Sequence, residues 1–253
     1  MPRTARKKSS TGIYHIMLRG IDRQKIFRDR KDYSHFMIIL RECKEKSDFK
    51  LYAYCLMPNH VHFLIKSENE PLDIIMKRIA SRYASWFNFK YQRIGHLFQD
   101  RYKSECVENE EYFLTVLRYI MQNPIKAKLE RQMGVYAWTS YREYYLREGN
   151  VADFEPVIKM YGEHSALIRF LNTANEDQIM DADEESTYRM NENKSKEIFY
   201  SVTGLKETSD FLELDKGIQN NYIFKMHENG VPIMHISRMT GISKSSVHRI
   251  IKY

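Results

Sequence analysis

The sequence predicts an α+β fold: a ferredoxin-like antiparallel sheet with helices, followed by an all-α helix-turn-helix region. Three observations predict it. Two strand-like runs meet at the turn residues Pro58 and Asn59; the runs up to residue 107 follow the order strand, helix, strand, strand, helix, strand; and the C-terminal segment has helical spacing broken at a glycine.

Ile13 to Leu18 is a short apolar run that reads as the first strand. Asp29 to Lys46 carries Phe36, Ile39, Leu40 and Cys43 at helical spacing, so it reads as an amphipathic helix. Phe49 to Met57 and His60 to Lys66 are strand-like, and the proline and asparagine between them make a hairpin. Pro71 suits a helix start, and Ile75, Ile79, Tyr83 and Phe87 mark the buried stripe of a helix over Leu72 to Tyr91. Gly95 to Gln99 reads as a loop and Tyr102 to Val107 as a fourth strand. Glu110 to Gln122 is a further helix, expected to stop at Asn123-Pro124. This domain is placed at residues 10–147, followed by a helical connector over 148–215, with a helix over Ala152 to Leu171, and a helix-turn-helix region at 216–253. The acidic residues Asp177, Asp181, Asp183 and Glu184 read as a solvated stretch rather than a metal site.

In the C-terminal region Ser237 is small where two helices must approach, Gly241 supplies a sharp turn, and Ser243 caps the next helix. Ile236, Val247 and Ile250 would pack between the helices. Lys244, Ser245, His248 and Arg249 are then left to face a DNA groove and its phosphates. The plain alternative is an ordinary helical hairpin.

Composition narrows the partners and the compartment. With 253 residues and 43% hydrophobic content the chain can build a core, and its net charge of +7 favours a polyanionic partner. Cys43, Cys55 and Cys106 have no CxxC spacing, which argues against a disulfide framework and a zinc finger. No apolar run is long enough to cross a bilayer, and no apolar segment follows the basic N-terminal arm of Arg3 to Lys8. A cytoplasmic protein without a membrane partner is expected.

His60 and His62 lie two apart on a strand, so both imidazoles point to one face while Val61, Phe63 and Ile65 point to the other. Such a pair is half of a divalent metal site. Taken alone, HxH on a strand is more often inert. A partner must come from elsewhere in the chain, and the 18 tyrosines are the candidates for a nucleophile. Tyr83 sits on a buried stripe, and Tyr102 lies between Arg101 and Lys103, where all three could hold nucleic-acid phosphates. Tyr119 is followed by Asn123 at i+4, which places phenol and amide on one helical face. Gln122, at i+3, is a rival oxygen donor. On spacing alone Tyr119 is more often a core residue than a catalyst.

Three strings, Leu56 to Ile65, Gly95 to Ser104 and Tyr119 to Pro124, together with Trp138-Thr-Ser-Tyr141, stand in a fixed order. In that order they resemble the HUH single-tyrosine transposases, closest to the REP-associated and insertion-sequence groups. The resemblance covers roughly the first 145 residues and implies the HUH endonuclease fold. It implies a metal-dependent enzyme that nicks and rejoins single-stranded DNA, with His60, His62 and Asn123 as metal ligands and Tyr119 as the nucleophile that forms a 5′-phosphotyrosine link. It also implies Mg2+ or Mn2+ as cofactor and hairpin-bearing DNA as partner. A homodimer is a candidate assembly. Because ligation needs neutral imidazole, function is expected to fade toward the ordinary histidine pKa of about 6.5. A DNA-binding regulator without chemistry is the alternative. The missing P-loop argues against a helicase-bearing nickase, and histidines where base-stacking aromatics would stand argue against a passive RNA-binding sheet.

Overall fold

The structure is a computed structural model and describes residues 6–99, 101–149, 151–174, 179, 195–205 and 208–252. Arg3 and the acidic residues Asp177, Asp181, Asp183 and Glu184 lie outside the described residues. The chain divides into two units, Met1–Asp177 and Gln178–Tyr253.

The first unit is built on strands β1 (Ile13–Arg19), β2 (Lys50–Met57), β3 (His60–Lys66) and β4 (Lys103–Cys106), in the antiparallel order β2-β3-β1-β4. With helices α1 (Arg30–Ser47) and α2 (Leu72–Lys90) between them, this is the ferredoxin-like order. Helix α1 starts at Asp29, whose carboxylate accepts from the Asp32 amide at 3.1 Å while the Asp32 carboxylate accepts from the Asp29 amide at 3.2 Å. That reciprocal cap satisfies two donors that the first turn cannot. The apolar stripe of α1 (Phe36, Leu40, Cys43) and that of α2 (Ile75, Ile79, Tyr83, Phe87) are fully buried. Phe36 stacks on Phe63 of β3 at 6.1 Å, so these helices cover the face carrying Val61, Phe63 and Ile65. Tyr83 is a core residue, and its hydroxyl donates to the Ile26 carbonyl at 2.6 Å.

Helix α3 (Glu110–Lys126) packs on the opposite face, against β2 and β3. It corrects the expected stop at Asn123, since it continues through Pro124. Proline forfeits its own donor toward the preceding turn, and so near a helix end the loss is a single bond. The Ala127 amide still reaches the Asn123 carbonyl, and the Leu129 amide the Pro124 carbonyl, both at 2.9 Å. Beyond α3, Trp138 to Ser140 attach to the free edge of β2: the Leu56 amide donates to Trp138 O at 2.8 Å and the Ser140 amide to Tyr54 O at 3.0 Å. That edge is thereby covered, as an exposed sheet edge in a monomer must be. Helix α4 (Tyr141–Leu146) follows. The helix expected over Ala152 to Leu171 is two, α5 (Phe154–Tyr161) and α6 (His164–Asn172), because Gly162 takes φ 100° between them.

The second unit is helical: α7 over 195–203, α8 (Thr208–Leu212), α9 (Lys216–Glu228), α10 (Ile233–Thr240) and α11 (Lys244–Lys252). Its core gathers Phe199, Phe211, Ile223, Met226, Ile236 and Val247, with Ile250 partly buried against them. Gly241 adopts the left-handed φ of 71° between α10 and α11. The Ser246 amide donates to Ser243 Oγ at 3.3 Å, and Ser237 Oγ donates to Ile242 O at 2.7 Å. Ser237 therefore ties the turn as well as being small. No described helix of either unit is long and apolar enough to cross a membrane.

Candidate active site on the helix-three face of the sheet

The histidines are presented by a hairpin that its neighbours pin. Met57 pairs with His60, leaving Pro58 and Asn59 as the whole turn, and neither residue has a positive φ. Two-residue hairpins with negative φ tend to splay their strands. Here the turn is held from the side. The Gly20 amide donates to Asn59 O at 2.9 Å, and the amides of Ile26 and Phe27 donate to Pro58 O at 2.8 and 3.1 Å. A side chain on Gly20 would meet the Gln24 carbonyl and lie 2.8 Å from Ile26 Cγ2, so only glycine lets this close approach form.

His60 and His62 point to the α3 face and are buried, at 3% and 0% exposure. Burial drives the His60 pKa down to about 3, aided by the charges of Arg19 and Arg23. Burial also holds the His62 imidazole well below the ordinary range, helped by His60, His15 and Arg19. Both rings are neutral well below pH 6.5, so the acid limit set by proton competition is lower than the sequence suggests. His60 Nδ1 donates to Asn59 Oδ1 at 2.7 Å, which leaves the Nε2 lone pair for a metal.

Helix α3 brings the third component. The ring of Tyr119 meets His62 edge-on at 5.7 Å and His15 at 5.9 Å, and its hydroxyl-bearing side chain is 5% exposed. Lys126 Nζ lies 5.0 Å from the same ring. Asn123, one turn further on and 3% exposed, shares that face, and its amide nitrogen has no hydrogen-bond partner among the described residues. Gln122, its rival, faces elsewhere: its amide nitrogen donates to Leu171 O at 2.7 Å and Thr173 O at 2.9 Å, holding the end of α6.

Sequence reasoning missed His15 and Glu105. Residues 13, 15, 17 and 19 of β1 share the face of His62, because Met17 pairs with His62 and Arg19 with His60. His15 is fully buried and lies across from Glu105 of β4. Strand parity was available as a signal, but the register that joins β1 to β3 and β4 was not.

The expected nucleic-acid contacts fall in two places. Arg101 and Lys103 are exposed, whereas Tyr102 is buried and forms a seat for Arg6. The Arg6 guanidinium stacks 3.9 Å from the Tyr102 ring and donates to its carbonyl at 2.7 Å. Arg6, Lys77, His96 and Arg101 line a cavity of about 670 Å3 beside α2 and Leu18, on the sheet face opposite the histidine pair. In the second unit Lys244, Ser245, His248 and Arg249 are all exposed on α11.

Part of the chain is similar to a known family. Residues 8–123 match the family described as "Transposase IS200 like", a span that ends on Asn123. Among solved structures, the chain is similar to a REP-associated tyrosine transposase bound to a REP hairpin, with 17% identity over 61% of this chain and 96% of that one, and a TM-score of 0.48. It is also similar to a candidate transposase from Deinococcus radiodurans R1, with 19% identity over 47% of this chain and 95% of that one, and a TM-score of 0.35. No curated protein matches. Residues 8–123, the part of the chain that is similar to the IS200-like transposase family, contain the hairpin histidines and Tyr119.

Proposed function

We propose that the first unit nicks and rejoins single-stranded DNA, with Tyr119 as the nucleophile. The observation that carries this reading is the contact of Tyr119 with His62, which joins a helix residue to a hairpin residue 57 positions earlier in the chain. In the reaction the Tyr119 hydroxyl gives up its proton to solvent as its oxygen attacks the scissile phosphorus in line. The bond from phosphorus to the 3′ oxygen breaks, and that oxygen takes up a proton as the 3′-hydroxyl. The 5′-phosphate stays on Tyr119 as a diester. A second 3′-hydroxyl can reverse the step, because the phosphotyrosine link conserves the bond.

His60, His62 and Asn123 fit a divalent cation. All three are neutral donors, two imidazoles kept unprotonated by burial and an amide that would bind through its oxygen. Such a set leaves the cation's positive charge undiminished for a phosphate oxygen. When bound there, Mg2+ or Mn2+ would stabilise the charge that develops on the phosphate during displacement. The imidazoles favour Mn2+ of the two. Asn59 orients His60 for this task, and the pinned turn fixes both rings.

The DNA would be held by basic groups away from the histidine face. Arg6, Lys77 and Arg101, which line the cavity beside the sheet, would hold an extended strand by its phosphates. The exposed face of α11 would add recognition of a hairpin stem through Lys244, Ser245, His248 and Arg249. The test is incubation of the full chain with hairpin-bearing single-stranded DNA and Mn2+. A protein–DNA adduct that survives denaturation is expected from wild type and not from Tyr119→Phe. An adduct from Tyr119→Phe would refute the assignment.

A further inference from the structure

We propose that His15 is a positioning residue that sets the tautomer of His62, with Glu105 behind it; this rests on the metal-site reading above. His15 Nε2 lies 3.1 Å from His62 Nδ1, and the two rings stack at 5.3 Å with 21° between their planes. On the other side His15 Nδ1 faces Glu105 Oε2 at 3.9 Å, an electrostatic contact longer than a hydrogen bond. Glu105 in turn accepts a hydrogen bond from Tyr112 of α3.

Two facing imidazole nitrogens can share one proton, and there are two ways to place it. If His15 Nε2 donates, a neutral His15 turns a bare lone pair toward the Glu105 carboxylate. His62 then carries its own proton on Nε2 and offers a metal no lone pair. If His62 Nδ1 donates, the His15 proton sits on Nδ1 and faces the carboxylate, which is attractive. The His62 lone pair is then on Nε2, as it is on His60 through Asn59. Only the second arrangement satisfies both the carboxylate and the ligand role. His15 thus does for His62 what Asn59 does for His60, and Glu105 fixes the direction of the chain. Partners of this kind typically change metal affinity by roughly 10- to 100-fold.

The test uses the full chain in three forms: wild type, His15→Phe and His15→Gln. His15→Phe keeps a stacked ring and removes the acceptor, while His15→Gln offers an amide oxygen near the position of Nε2. Two readouts are needed: the His62 tautomer by 15N NMR of metal-free protein, and Mn2+ affinity from the signal of free Mn2+. Expected are a His62 proton on Nδ1 in wild type, Mn2+ affinity lowered about tenfold or more in His15→Phe, and recovery in His15→Gln. A His62 proton on Nε2 in wild type would overturn the proposal, as would unchanged tautomer and affinity in His15→Phe. The NMR readout needs no metal, so it judges the proton's position even if wild type binds no Mn2+. That last result would overturn the metal-site reading instead.

Discussion

Acid should destabilise the first unit through its two buried histidines, and the size of the effect can be worked from their surroundings. In the unfolded chain each imidazole titrates near 6.5. In the fold His60 is held down to about 3 by burial and by Arg19 and Arg23, and His62 is lowered first by burial and then by its neighbours His60, His15 and Arg19. For a depressed pKa the stabilising contribution is complete above 6.5 and is lost as pH falls toward the folded value, because only the unfolded chain takes up the proton. His60 therefore costs about 1.4 kcal/mol per pH unit below 6.5, which is about 2 kcal/mol by pH 5, and His62 adds a loss of the same sign. The assay is urea unfolding of metal-free protein from pH 7.5 to 5, followed by tryptophan fluorescence. Both tryptophans, Trp86 and Trp138, lie in the first unit, so the second does not contribute. His35, also lowered by burial, adds a background common to every variant. His62→Gln should make the slope shallower. An unfolding midpoint independent of pH in this range, or a His62→Gln slope equal to wild type, would refute the reasoning.

Two further outcomes follow from the site's supports. Gly20→Ala puts a methyl group against the Gln24 carbonyl and Ile26, so it should cost about 1–3 kcal/mol in urea unfolding and weaken Mn2+ binding by loosening the turn that carries His60. Replacing Lys244 and Arg249 together by Ala should weaken binding to a hairpin stem. In anisotropy titrations the salt slope should fall by about one for each phosphate no longer held, while adduct formation on an unstructured oligonucleotide stays unchanged.

Much of this site was legible from local pattern. Alternation on a strand was enough to point His60 and His62 the same way, and the 3.6-residue period was enough to pair Tyr119 with Asn123. The stripes on α1 and α2 were equally local. The parts that were not legible depend on register or on which of two local preferences wins. His15 and Glu105 enter only because β1 pairs with β3 and β4 in one register, and a shift of one residue would turn His15 into the opposite core. Pro124 carries a strong stop signal, yet the continued final turn of α3 outweighs one missing hydrogen bond. Tyr102, flanked by Arg101 and Lys103, read as a surface residue, but its ring is buried under Arg6 from the N-terminal arm. Gln122 and Asn123 were equivalent by type, and only the position of α6 separates them.

The central claim is chemical, and it can be read at one residue. Trypsin cleavage after Arg118 and Lys126 releases a peptide in which Tyr119 is the single tyrosine. Mass spectrometry of the digested adduct, formed with Mn2+ and hairpin-bearing single-stranded DNA, should find the 5′-phosphate of the cleaved strand on that peptide. A DNA link on any other peptide, or no link from active wild-type protein, would contradict the account.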